Sequence, residues 1–351
     1  MKKKFVLSVV CTIFVFAWSA GFSQQDKDAG RKGLLVCIGF YNVENLFDTI
    51  NSPEINDIDF TPGGLNRWDT RKYLEKLDRL GEVISKMGNR TPDGPAILGL
   101  CEIENREVLV ALANNHYIRD RNYQVVHHTG PDRRGIDVAL MYNPKYFNYL
   151  SSKPYATTFA GDPNFRTRDQ LLVTGELLGE RMHFIVSHWP SRVGSERRTR
   201  PMRMAAAEIA RAIVDSIQAA EPGAKVFLMG DYNDDPTSKS IRRHLRAHGN
   251  LERLRDNELF NPYESLYRKG IGSLAWRDSW NLFDMIILTP SLVKQDRSSW
   301  KFYRANVFNP PFLRQPTGRF QGYPFRSFSS GVYQGGYSDH FPVYIYLVRE
   351  L

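Results

Sequence analysis

Cysteine is scarce, with three in 351 residues, and one of them, Cys11, lies in an N-terminal apolar run. A fold held together by disulfides is therefore excluded. Cys37 and Cys101 sit in apolar, strand-like runs and read as buried free thiols, or as a pair if their strands lie side by side. Long apolar stretches are also missing, apart from residues 5 to 18. That run follows Lys2, Lys3 and Lys4 and precedes mostly small residues from Ala17 to Ser23. The pattern predicts a secretory leader over residues 1–23, cleaved near Ser23–Gln24 and too short to span a membrane. Cys11 follows Val10 where a lipid-anchor signal wants a small residue, so it reads as part of the leader. No apolar hairpin suited to membrane insertion, no internal repeat and no domain linker stands out. Acids are in deficit, 38 against 47 Lys and Arg, for a net charge of +9. Losing the leader removes three Lys and no acid, leaving +6. A basic exported protein favours anionic partners, nucleic acid or phospholipid headgroups, without choosing between them.

Apolar content is ordinary at 42%, enough for a sizeable core. After a loose polar stretch, 24–33, strands and helices alternate, which predicts a single α/β domain over 34–351. Apolar runs at 34 to 40, 96 to 101, 226 to 229 and 283 to 288 read as buried strands. Residues 68 to 87 and 104 to 114 carry helical spacing. Helical periodicity resumes at Met204 after a basic loop, RVGSERRTRPMR, and a charged helical region is expected to run to about 256. Residues 298 to 337, rich in aromatics, Arg, Gly and Pro, show no period.

The stretch KVFLMGDYNDDP, residues 225 to 236, runs from a buried strand into Asp231 and Asn233, which leave an extended chain on one face. A carboxylate and an amide side by side suit a phosphate under attack by water, one orienting the water and the other holding an oxygen that gains charge. Alone, the pair is equally an Asp/Asn turn. The other strand ends repeat the theme with Asn42, Glu102, His188, Asp284, Asp339 and His340. Singly, these read as a turn former, a core histidine or a cap. Together they mark one end of a sheet as a site.

In order, the motifs YNVEN, LGLCEIEN, DRRGIDVALMY, VSHWPS, GDYND, FDMIIL and SDHFPV resemble the endonuclease/exonuclease/phosphatase superfamily, the metal-dependent phosphohydrolases related to deoxyribonuclease I and exonuclease III. The resemblance spans residues 34 to 349 and implies a four-layer α/β/β/α sandwich, two mixed sheets face to face with helices outside. It implies that Glu102 is the principal Mg²⁺ ligand, with Mn²⁺ or Ca²⁺ as alternatives, and that Asn42, Asp339 and Glu44 contribute to the metal site. His340 is then the general base oriented by Asp284, Asp231 and Asn233 place the water, and His188 contacts phosphate or leaving group, supported by Asp137. Met285 follows Asp284 where many relatives carry a polar residue.

The substrate is less legible. Arg192, Arg197, Arg198, Arg200 and Arg203 follow His188 closely and read as phosphate contacts or as a solvated basic loop. The aromatics of 298 to 337 suit base stacking, packing over the sheet or a lipid interface. The leading expectation is a secreted or periplasmic nuclease for DNA or RNA, with no obligate protein partner. A sphingomyelinase-type phospholipase or a phosphomonoesterase is the alternative, and a non-catalytic nucleic-acid-binding module a third.

Overall fold

The computed structural model describes residues 33–293 and 298–351. The expected leader, residues 1–23, and all but Gly33 of the expected loose segment 24–33 lie outside the described residues.

Two long strand pairs run parallel, and a parallel pair needs a crossover large enough to hold a helix. The step from Gly33–Leu46 to Pro95–Ile103 carries α1, Thr70–Lys86, and the step from Glu180–His188 to Val226–Asp231 carries α3, Glu196–Ala220. A short α2, Arg106–Ala113, follows the first pair. The first sheet has six strands, in the order Lys301–Val307, Val343–Glu350, Gly33–Leu46, Pro95–Ile103, Asp137–Tyr142, Gln124–His127. The second has seven, in the order Phe147–Tyr155, Gln170–Leu177, Glu180–His188, Val226–Asp231, Asp284–Leu288, Leu259–Phe260, Ala247–His248. Both are mixed, and they stack face to face as the four-layer α/β/β/α sandwich.

Alternation along the strands explains the layers. Val36, Ile38 and Phe40 join the apolar cluster between the sheets, while Tyr41 and Val43 join the cluster under Leu77, Leu80, Val83 and Ile84 of α1. α1, α2 and α3 each open with a capping side chain: Asp69 accepts from Lys72 N at 2.9 Å, Asn105 from Val108 N at 2.9 Å, and Ser195 from Arg198 N at 3.3 Å. Cys37 and Cys101 are both buried and free, Cys37 lying across from Pro95 and Cys101 across from Asn42 on the adjacent strand.

Three expectations need correcting. The basic stretch after Arg192 is a loop only to Ser195; from Glu196 it forms the first turns of α3, with Pro201 exposed six residues in. Pro201 costs one helical bond near an end already open to water, so helix formation survives it. The charged region to 256 holds two short helical turns, Ser240–His244 and Leu251–Arg253, and the two-residue strand Ala247–His248 instead of one continuous helix. The stretch 298 to 337 contributes an edge strand, Lys301–Val307, whose alternation was hidden by Arg and Tyr on its outer face.

Gly230 is where close approach matters. It lies across from Ser187 on the parallel neighbour, and a Cβ there would meet the Ser187 carbonyl oxygen at 2.3 Å. A backbone atom cannot rotate away, so the strands would have to part just before Asp231. Gly230→Ala is expected to destabilise the fold by about 1–3 kcal/mol in urea unfolding, the usual range for overpacking. The control is Gly63→Ala, where a Cβ meets nothing within 4 Å, expected to stay within about 1 kcal/mol of the parent.

Candidate active site

At one edge of the second sheet His188, Asp231 and Asp284 stand across from one another on three adjacent strands. All three are buried. Two carboxylates directly opposite on an antiparallel pair repel, and burial removes the water that would screen them. The surrounding groups answer that repulsion. His340 Nδ1 donates to Asp284 Oδ2 at 2.6 Å, and Ser273 Oγ donates to the same oxygen at 2.5 Å. Asn42 Nδ2 donates to Asp231 Oδ2 at 3.1 Å, and Asn233 N donates to Asp231 Oδ1 at 2.9 Å. His340 Nε2 stands 3.9 Å from Asp231 Oδ2 and His188 Nε2 3.5 Å from it.

The electrostatics follow from this packing. Burial opposes a charged His340, but Asp284, Asp231 and the Asp284 hydrogen bond outweigh it and hold the imidazolium well above its ordinary range. Asp231 is pushed up to about 7 by burial, with His340 pulling it down and Asp284 pushing it further up. His188 is held neutral by burial, with Arg168 and Arg134 adding to the effect.

The first sheet supplies its groups through irregular backbone. Register slips between Asn42 and Leu46 on one strand and between Cys101 and Ile103 on the next. Within those bulges Glu44, Asn45 and Glu102 take left-handed φ of 51°, 57° and 64°, and across the site Asn233 takes 51°. Such conformations cost a non-glycine residue free energy and persist where packing over-determines them. A bulge also re-aims a side chain. Glu102 is thereby turned to accept from Asn45 N at 2.9 Å and Asn42 Nδ2 at 3.3 Å. The Asn42 amide is thus shared between Glu102 and Asp231, one carboxylate from each sheet. Ser338 ties the His340 loop to the same strand, donating to Asn42 O at 2.7 Å and accepting His340 N at 3.1 Å.

Glu44 departs from its expected role. Arg326 donates to its Oε1 at 3.2 Å and the Ser327 backbone N–H to its Oε2 at 2.6 Å, so both oxygens are engaged by protein. Burial pushes it up to about 7, with Asp339 adding and Lys76 and Arg326 opposing. Lys76, itself buried, donates to Ser327 Oγ and Tyr337 O at 2.7 Å each. Glu44 therefore belongs to a buried charge network behind the site. Asp339 shares Arg326 through one oxygen at 3.1 Å and remains partly exposed.

Asp137 does not reach His188. As the first residue of its strand it turns into the 127–130 loop, 3.2 Å from His127 Nε2 and accepting Gly130 N at 3.0 Å. His188 Nδ1 is left with no partner among the described residues. Behind His188, Arg168 donates to the His188 and Trp189 carbonyls at 3.1 and 2.6 Å and pairs with Asp132 at 3.1 Å. Arg192 is likewise a brace and not a free phosphate contact: it donates to Asn233 O at 2.8 Å and to Asp234 at 3.0 Å, with Phe283 under its guanidinium at 4.4 Å. Arg203 is fully buried against Asp234 at 2.9 Å. Arg197 and Arg198 lie exposed on the first turn of α3. Ser273, Ser338, Arg168 and Lys76 went unrecognised as supports; only Ser338, beside Asp339-His340, lay inside a motif.

A family model described as Endonuclease/Exonuclease/phosphatase family matches residues 37–349. The chain belongs to that family. Its members are phosphoester hydrolases that depend on a divalent metal. Among solved structures, D. rerio TDP2 complexed with single strand DNA product is similar at 16% identity over 89% of this chain and 98% of that one, TM-score 0.53. The human Nocturnin catalytic domain with bound sulfate is similar at 15% identity over 92% and 98%, TM-score 0.53. A mannosyl-6-phosphatase of Bacteroides thetaiotaomicron is similar at 15% identity over 89% and 99%, TM-score 0.53. At these identities the likeness is one of fold. No curated protein matches the chain.

The donor set suits a hard divalent cation. Glu44, Glu102, Asp231, Asp284 and Asp339 crowd one edge against Lys76, Arg326 and His340, and a cation offsets that excess. Asp231, Asp284 and His340 converge within 4.8 Å, a spacing compatible with a metal, but His340 and Asp284 already bond each other and Asp231 is held by Asn42 and Asn233. Glu102 and Asp339 are the acids of the group that remain partly exposed. Without metal, Asp284→Asn is expected to lower the His340 titration from well above 6.5 toward or below it, read by histidine NMR. The sign extends to stability: a raised imidazole stabilises fully below its unfolded value near 6.5 and loses that contribution as pH climbs through the folded value. The variant should therefore be weaker than the parent chiefly on the acid side. An unmoved His340 titration would contradict the dyad.

Proposed function

We propose that the protein is a secreted, Mg²⁺-dependent phosphodiesterase that hydrolyses nucleic acid. The observation that carries the hydrolytic reading is the 2.6 Å bond from His340 Nδ1 to Asp284, set beside Asp231 at the junction of the two sheets. Asp284 fixes the Nδ1–H tautomer, so that in the neutral ring, the form a bound cation would favour over the imidazolium, Nε2 faces the site as the atom that takes a proton from water. Asp231 stands against that nitrogen and orients the water. The Asn233 amide gives one hydrogen to the Trp189 carbonyl at 3.0 Å and keeps a second for a phosphate oxygen that gains charge, while the Asn42 amide holds Glu102 and Asp231 in place. As the water oxygen bonds to phosphorus, the ester P–O bond on the opposite side breaks; the departing oxygen takes its proton from solvent, and the N–H of neutral His188 offers it a hydrogen bond. Glu102 and Asp339 would hold the cation, with the Asn42 amide between the sheets beside them. When bound, the cation supplies positive charge that withdraws electrons from the phosphate and offsets the carboxylates around His340.

The basic charge, +9 overall and +6 without the leader, favours an anionic substrate, and nucleic acid is the reading taken from the features that follow. Exposed Arg197 and Arg198 sit a few residues past the strand that ends at His188. A sandwich of the same fold, D. rerio TDP2, has been seen with a single-stranded DNA product. Secretion rests on the basic start and short apolar run of the leader.

The decisive experiment incubates protein beginning at Gln24 with Mg²⁺ or EDTA and plasmid, RNA, sphingomyelin or sugar phosphates, alongside His340→Ala. Cutting of plasmid or RNA that EDTA abolishes is expected, slowed about 10²–10⁴-fold in the variant, the usual contribution of a general base. Turnover confined to the lipid or the monoesters would retain the mechanism and overturn the substrate. Equal rates in parent and variant would overturn the mechanism.

A further inference from the structure

A cavity of about 390 Å³ is lined in part by Arg326, the partner of Asp339, and takes no part in the chemistry above. One wall is the hairpin formed by Leu274–Trp276 and Ser279–Asn281, and the other comes from the segment between Gln315 and Gln334. Several contacts couple it to the reacting centre. Ser273, just before the hairpin, holds Asp284 by its hydroxyl and accepts Phe341 N through its carbonyl at 2.7 Å. Trp280 stacks on Phe341, the neighbour of His340, with centroids 6.0 Å apart and planes 16° apart. From the opposite wall Arg326 reaches Asp339.

The hairpin tip is costly and is nevertheless held. Arg277 and Asp278 take φ of 48° and 62°, left-handed values that a two-residue hairpin turn requires and that Asn-Gly would meet more cheaply. Tyr323 clamps them, its hydroxyl donating to Asp278 Oδ1 at 2.6 Å and accepting Asp278 N at 2.8 Å. Ligand clamps are among the places where strain of this kind is kept. This clamp displays Trp276, 66% exposed, opposite Phe320, 45% exposed. Arg277 and Arg319 lie 5.7 Å from the Trp276 and Phe320 centroids respectively, and no carboxylate comes within 4.0 Å of either guanidinium among the described residues. Exposed rings that each carry over them a guanidinium without a carboxylate partner match a ligand that is flat and anionic at once.

We propose that this cavity is a subsite for one unpaired nucleobase next to the scissile phosphate, stacked on Trp276 and Phe320, with Arg277 and Arg319 holding the adjoining backbone phosphate. The proposal rests on the nucleic-acid reading above and narrows it to single strands or unpaired strand ends, because a paired base cannot enter. The volume falls within the range of about 300–1,000 Å³ usual for small-ligand pockets.

The test compares oligothymidylate with an abasic tetrahydrofuran oligomer of the same length, which has the backbone without the bases. Both are measured in parent, Trp276→Ala, Phe320→Ala and the Arg277→Ala/Arg319→Ala double variant, all exposed positions. The parent is expected to show a KM roughly tenfold lower for the base-bearing strand, in keeping with one stacked base. Either ring variant should erase that difference with kcat unchanged, and the double Arg variant should raise KM for both oligomers. Equal KM values in the parent, or ring variants that lower kcat on both oligomers alike, would overturn the subsite. If the parent cleaves no polynucleotide, the nuclease reading fails and the subsite is judged by quenching of tryptophan fluorescence in EDTA. Quenching by oligothymidylate that Trp276→Ala removes sustains it. Quenching by mannose 6-phosphate or anionic vesicles alone, or by nothing, overturns it.

Discussion

Asp231 and Asp284 face each other across neighbouring strands, both shielded from water, and the site is built around holding those two carboxylates together. Their repulsion is met by one imidazolium, one amide and one hydroxyl, each delivered by a different part of the chain. Asn42 brings the first sheet against the second. Ser273 brings the aromatic hairpin, and His340 brings the loop before the last strand of the first sheet. A structure that needs three distant segments to neutralise one pair has little freedom in how its sheets are stacked. The electrostatic demand and the sandwich geometry therefore specify each other.

A second charge cluster lies beside the first and has a different balance. Glu44 is held by Arg326 and the Ser327 N–H, and Lys76 by Ser327 Oγ and the Tyr337 carbonyl, so the buried charges of this cluster have their bonds met within the protein. Such a network is expensive to desolvate, and breaking it by losing one partner costs more than it gains intact. Its place behind Asp339 suggests its use: Arg326 holds one Asp339 oxygen, which leaves the other toward the metal side of the site. One cluster is satisfied internally and braces; the other remains short of positive charge and binds.

The strand-end groups were legible because buried strands are apolar runs, and any polar residue that ends one stands out. That logic found Asn42, Glu102, His188, Asp231, Asp284 and His340, and the structure brings them to one edge. It could not see direction. Glu44 and Glu102 are both acids at strand ends, but left-handed backbone in two bulges turns one toward Asn42 and the other toward Arg326. Bulges leave no mark in an apolar pattern. Asp137 failed for a related reason, since a first strand residue can follow either the sheet or the preceding loop, and this one follows the loop. The Arg-rich stretch misled because Pro201 and a run of charge mask a helix start that Ser195 in fact caps. Ser273 was invisible: a lone serine carries no signal until the fold sets it against Asp284.

The rigid and the variable parts of this molecule separate along that line. Groups that do chemistry sit on strand ends whose neighbours are backbone, as Gly230 against the Ser187 carbonyl shows, and those positions tolerate little movement. Groups exposed to a substrate's remainder sit on the 274–281 hairpin and the 315–334 segment, which touch the sheets mainly through Ser273, Trp280 and Arg326. A change of ring or guanidinium there alters what is held without altering the dyad, because the tethers are a serine hydroxyl, a stacked ring and an ion pair and not the rings that face the cavity. The choice among phosphoesters is therefore made on a surface with its own small set of supports, one step removed from the carboxylates that break the bond.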